Sequence, residues 1–154
     1  MYHKQQINAL QGAIAGCIAT IPMTLFMLGT QRFLPKGHRY DLPPELLTKE
    51  LAERAHVKRH LNKAQVLAAT TASHFGYGAV MGVLYSFLGR RLPLPSYLKG
   101  SLFGLGIWAA SYQALLPALG FSESSQGETR QRNLMMIAAH LIWGTSTELV
   151  TELL

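Results

Sequence analysis

Charge is what this sequence most lacks. Only 14% of its 154 residues are Asp, Glu, Lys or Arg, while 49% are hydrophobic; ordinary soluble domains carry about 25% charged residues. The charges present are clumped. None occurs from Gln5 to Gln31, from Ala64 to Gly89 or from Gly100 to Ser122, and a shorter gap runs from Asn133 to Thr147. A soluble bundle needs polar outer faces on its helices, with charges every third or fourth position, and three gaps this long argue against it. A helix rising 1.5 Å per residue needs about 20 apolar residues to cross the hydrocarbon core. The first three gaps meet that length. The fourth must continue through Glu148 towards Leu154 to do so.

Other absences narrow the function. The single Cys17 lies in an apolar run and excludes an intrachain disulfide. There is no glycine-rich phosphate loop, no Ser-centred nucleophile elbow and no CxxC, so neither nucleotide chemistry nor an enzyme of those types is expected. The first apolar run is not read as a signal peptide. It follows only Lys4, is too long, and has no small-x-small site before a polar start. The formal net charge of +6 sits in the loops; it speaks of membrane orientation, and no nucleic-acid partner is expected.

What remains is an all-α reading. The expected fold is an integral membrane four-helix bundle built from two repeated helical hairpins, in a single transmembrane domain over residues 1–154. The helices are expected at about 7–33, 63–88, 96–119 and 132–154. Between the first two, Asp41-Leu-Pro43-Pro44-Glu45 has the form of a helix start. Leu47, Leu51 and Ala55 then recur at helical spacing. This predicts an amphipathic interfacial helix at about 43–60, lying on the membrane or docked on the protein's own loops. His56 and His60 are four apart there but lack a third ligand, so a solvated basic face is the reading and no metal is expected.

Small residues four apart let helices approach closely in lipid. Gly12 and Gly16, Gly78 and Gly82, and Gly100 and Gly104 are such pairs, and Gly106 with Ala110 is a fourth; Gly144 stands alone. Pro22 is expected to kink the first helix, with Thr20 or Thr24 satisfying the freed carbonyl. The repeat aligns Gly12 with Gly100 and Gly16 with Gly104. It also aligns His74-x-x-Tyr77-Gly78 with His140-x-x-Trp143-Gly144. In that register Glu148 falls opposite Gly82. On orientation, Arg32, Lys36, Arg39, Lys49, Arg54, Lys58, Arg59, Lys63, Arg130 and Arg132 outnumber Lys4, Arg90, Arg91 and Lys99. The positive-inside rule then places the 34–63 loop in the cytoplasm.

His74 and His140 enter from the same membrane face and lie at similar depth, ~12–17 Å in at 1.5 Å per residue. Ionisable groups there are expensive and mark sites. Three uses stay open. The histidines can be neutral structural groups, hydrogen-bonded to neighbouring helices. They can be axial ligands of a haem or chlorophyll, which a pair of imidazoles suits. They can handle a proton or substrate together with Glu148, which shares a stripe with His140, Gly144 and Glu152. No cofactor is required by any motif.

Several of these residues carry a family likeness. Gly12-x-x-x-Gly16-x-x-Ala19-Thr20-x-Pro22-Met23-Thr24, Leu42-Pro43-Pro44, Leu51-Ala52-Glu53-Arg54 and His74-x-x-Tyr77-Gly78 resemble the YagU-like bacterial inner-membrane proteins, a group of unknown function. The resemblance implies a four-helix, multi-pass protein of the bacterial inner membrane and brings no catalytic residue. The leading expectation is a non-catalytic component whose partners are the bilayer and other membrane subunits or copies of itself. The alternatives are a proton-coupled small transporter using His74, His140 and Glu148, and a haem- or chlorophyll-binding protein using the two histidines.

Overall fold

The computed structural model describes residues 2–34, 41–57, 60–89, 93–118 and 129–154. All regular structure among them is helical. The helices are α1 (Tyr2–Gln31), α2 (Pro43–Arg54), α3 (Lys63–Leu88), α4 (Ser96–Ala110) and α5 (Arg130–Leu153). Beyond Ala110 the chain continues through a π-helical turn, Ser111–Leu115, into the short segment Leu116–Ala118. Pro117 accounts for the irregularity: it lacks an N–H and crowds the carbonyl four residues back. Lys36, Arg39, Lys58, Arg59, Arg90 and Arg91, on which the orientation count leans, lie outside the described residues.

Local chemistry fixes several boundaries. The Asn62 side chain accepts from the Gln65 N–H at 2.9 Å, and the Gln65 side chain accepts from the Asn62 N–H at 2.8 Å. This reciprocal box starts α3. Pro43 and Pro44 occupy the first positions of α2, where no N–H is needed. That helix stops at Arg54, short of the expected 60. His56 adopts a left-handed φ of 58°. Its N–H donates to Glu53 O and the Val57 N–H to Ala52 O, both at 2.9 Å. These paired bonds close the helix as a Schellman cap, with histidine where glycine is usual. His56 and His60 therefore do not share a helix face.

Three interfaces hold the bundle together, α1 on α3, α4 on α5, and α1 on α5. The first two are backbone approaches. A Cβ on Gly12 or Gly16 would strike the carbonyls of Gly82 and Gly78; one on Gly100 or Gly104 would strike those of Gly144 and His140. Gly106 has nothing within 4 Å of a built Cβ, so its spacing with Ala110 marks no interface here. The third interface is the side-chain core: Ala19, Met23 and Met27 of α1 with Met136, Ala139 and Trp143 of α5, all buried. The Trp143 indole also donates to Gly16 O at 3.1 Å.

These contacts revise the register of the repeat. Gly12 meets Gly82 and Ser86; its counterpart Gly100 meets Gly144 and Glu148. Gly144 thus corresponds to Gly82, His140 to Gly78, and Glu148 to Ser86. The alignment of His74 with His140 is one helical turn out. Similar lettering in the two motifs masked which glycine lies at the crossing.

Pro22 lies inside α1, which continues unbroken to Gln31. Thr20 donates to Gly16 O at 2.8 Å and Thr24 to Thr20 O at 2.7 Å. Neither reaches the Ile18 carbonyl that Pro22 leaves without its helical partner, so the expected compensation is not made. One helix, over Ala9–Gln31, is long and apolar enough to cross a membrane by length and composition among the described residues. The other expected spans fall short of that measure. α3 is diluted by Thr70, Thr71, Ser73, His74 and glycines, α4 proper has 15 residues, and α5 carries Arg130, Arg132, Glu148 and Glu152.

Candidate functional site

The fourth edge of the bundle, between α3 and α4, lacks close backbone packing. The helices meet there through side chains. Tyr85 and Phe103 pack edge-on with ring centroids 4.9 Å apart, and Tyr77 OH bonds Ser111 Oγ at 2.9 Å. Behind this edge lies a cavity of about 220 Å³. Its walls are Met81 and Gly78 of α3 and Ile107 and Tyr112 on the α4 side; Met23 and Met27 of α1 and Met136 and Trp143 of α5 form the back. Pro43, Pro44 and Leu47 of α2 border one end. α2 is held there by packing on α3 and by a 3.4 Å contact between Thr48 and Ser73 hydroxyls.

His74 and His140 both line this cavity. The His140 Nδ1 lies 2.8 Å from the Met136 carbonyl. A carbonyl only accepts, so Nδ1 carries the proton, and in the neutral ring Nε2 is left as an acceptor. Tyr112 packs edge-on against the His140 ring at 6.3 Å. His74 Nε2 is buried and has no hydrogen-bond partner. The two imidazoles thus bring open hydrogen-bonding capacity to an otherwise largely apolar space.

Glu148 is elsewhere. It is 2% exposed, accepts from Tyr85 OH, and pairs with Lys99 Nζ at 2.8 Å. This network ties α3, α4 and α5 together. The crossing of Gly104 over His140 and Gly144 separates it from the cavity along α5, and Glu148 is absent from the cavity wall. Glu152, on the same stripe, accepts from Ser96. Sequence reasoning missed Tyr85 and Lys99 as partners. A signal existed for Lys99: pairing Gly100 with Gly144 brings it to the depth of Glu148.

A second buried charge lies near α2. Arg132 is 0% exposed and donates to the Asp41 carbonyl at 2.7 Å. The Asp41 carboxylate pairs with Lys49 at 2.5 Å, and Glu45 pairs with the same ammonium at 2.7 Å. Hydrogen bonds to Asp41 and then Glu45 raise the Lys49 pKa above its usual 10.5. This cluster anchors the start of α2 to α5. No group of three or more His, Cys, Asp and Glu side chains suited to a metal ion occurs among the described residues.

A family model described as "Protein of unknown function (DUF1440)" matches residues 23–149. The chain belongs to this family. The match includes His74, His140, Glu148, Lys99 and nearly all of the cavity wall, so the site lies within the DUF1440 region. The family description assigns no activity to any of them. No curated protein and no solved structure matches the chain.

Proposed function

We propose that this DUF1440 protein is a multi-pass membrane protein of non-catalytic role, a component that packs against other membrane subunits or copies of itself. One observation carries the reading, the inverted polarity of the bundle. On α1, Leu10, Ile14, Ile18, Ile21, Leu25 and Leu28 form an exposed stripe, each at least 40% exposed. Leu67 and Val80 of α3, Leu102 of α4, and Leu134 and Leu149 of α5 are likewise exposed. Inside, Thr20, Thr147, Thr151, Arg132, His140 and Glu148 are buried. The threonine hydroxyls are satisfied by carbonyls four residues back. An aqueous protein would not leave stripes of this length bare. In lipid the stripes need no cover, and polar groups belong inside. On α5 the low average hydropathy then reflects in part the buried Arg132, His140 and Glu148; on α3 the polar Thr71 and Ser73 are exposed. By resemblance to the YagU-like group, the membrane is the bacterial inner membrane.

The transporter reading loses its main support because Glu148 is paired with Lys99, away from both histidines. The haem or chlorophyll reading keeps its imidazoles but meets a size limit. About 220 Å³ is below the ~300 Å³ at the lower end of pockets for drug-sized ligands, and a porphyrin is larger than that. Carbonate-washed membranes and mass determination in mild detergent test the proposal. The chain is expected to stay with the membrane and to run as an oligomer or with a partner. Release into the soluble fraction overturns the membrane reading; a strict monomer without partners overturns the accessory role.

A further inference from the structure

We propose that the cavity between α3 and α4 binds a lipophilic hydroxyarene, a phenol or hydroquinone ring entering from the bilayer, whose hydroxyl donates to His140 Nε2. Only the source of the ring rests on the membrane reading; the site itself does not.

Size comes first. Benzene occupies an apolar cavity of ~150 Å³. A cavity of about 220 Å³ takes one ring with a few substituents. A bare metal ion would leave most of it empty, since its ligands must converge to ~2.0–2.3 Å. Chemistry comes next. Among the described residues the lining holds no Lys or Arg, so a carboxylate or phosphate headgroup would arrive without a counter-charge there. A plain acyl chain would leave both imidazole nitrogens unmatched, and buried polar groups need partners. A hydroxylated ring meets both needs. Its O–H is the donor that His140 Nε2 lacks, given the Nδ1 bond to Met136. A second oxygen can accept from His74 Nε2, which has no partner in the protein. Met23, Met27 and Met81 supply thioethers of the kind that favour aromatic rings.

Access fits as well. The mouth is crossed by the Tyr77–Ser111 hydrogen bond, whose members are exposed or half-buried. Ser111 opens the π turn, and such turns recur at binding sites where a helix wall departs from regular bonding. Breaking this one hydroxyl–hydroxyl bond frees the two side chains that close the cavity at that level, while the Tyr85–Phe103 contact holds α3 and α4 further along.

The test is calorimetric titration of the full chain in detergent micelles with 2,6-dimethylhydroquinone, its dimethyl ether and meta-xylene. Single-site saturable binding is expected for the hydroquinone. The ether and the xylene, which cannot donate, should bind at least tenfold more weakly. His140→Phe should erase the preference and His74→Phe should reduce it. Should either variant misfold, the comparison of the three probes on the unaltered protein decides alone. Equal affinity for hydroquinone and ether overturns the proposal, as does no saturable binding by protein shown to be helical. A chain that proves water-soluble yet still prefers the hydroquinone refutes the membrane source and supports the site.

Discussion

Replacing the two members of the Glu148–Lys99 pair should have unequal effects. Glu148 retains 3% of its side-chain surface and Lys99 retains 17%. Lys99→Met leaves a carboxylate that cannot reach water, with Tyr85 as its remaining donor. Stranding one member of a buried pair costs about 3–5 kcal/mol. Glu148→Gln is milder for two reasons. The Lys99 stem can turn its ammonium outward, as long cationic side chains do at interfaces. The glutamine carbonyl can still accept from Tyr85. The expected loss is about 1–2 kcal/mol, the scale of one weakened hydrogen bond to a charged group. The double variant should sit within about 1 kcal/mol of Glu148→Gln alone, because no stranded carboxylate remains. The coupling energy is then about 2 kcal/mol or more. Reversible unfolding of the four proteins in mixed micelles, followed by circular dichroism, measures the cycle. A Lys99→Met variant no less stable than Glu148→Gln, or an additive cycle, would refute the assigned burial of the pair.

Two further predictions test the crossing register and the cap. Gly82→Ala should destabilise by about 1–3 kcal/mol, because its Cβ would meet Gly12 O and Gly16 Cα, both backbone. Gly78→Ala should cost less, since the first atom met is the rotatable Thr20 hydroxyl, and Gly106→Ala should gain up to about 1 kcal/mol from helix propensity in open space; unfolding curves of the three variants rank them. His56→Gly should protect the end of α2 by about 1 kcal/mol, because φ 58° is unstrained for glycine. Slower amide exchange at positions 56 and 57 reads this out, and unchanged exchange would show that the left-handed cap is not occupied.

The helices were legible because their signals are local. Charge-free runs, the Asn62–Gln65 box and the two prolines of α2 each act within one or two turns. The end of α2 was not legible, because a left-handed histidine carries no mark in the sequence. The packing glycines were visible as pairs, but which pairs cross was not. Crossing depends on where two helices meet, and Gly78 and Gly82 satisfy the same spacing rule. Hence the like-lettered motifs align one turn away from the register in which the helices cross. The site was half legible. His74 and His140 stood out as expensive residues in apolar runs, and both line one cavity. The cavity itself was hidden, because it comes from an interface that is missing, between α3 and α4, and no residue pattern announces a gap.

The revised register explains why the two hairpins differ. Gly78 and Ser86 in the first hairpin hold the places of His140 and Glu148 in the second. Both first-hairpin residues are small, and each sits directly beside a glycine approach. In the second hairpin the same two places flank Gly144, four residues to either side. One points a ring into the cavity; the other sends a carboxylate to Lys99 and Tyr85. These two groups lie two turns apart on one helical stripe, and the tight crossing at Gly100, Gly104 and Gly144 fills the level between them. A bulky residue at Gly104 would push α4 from α5 at the level of the His140 carbonyl, opening a route between cavity and carboxylate. The separation of the two polar groups thus rests on the helical rise between them and on the glycine crossing that fills that level.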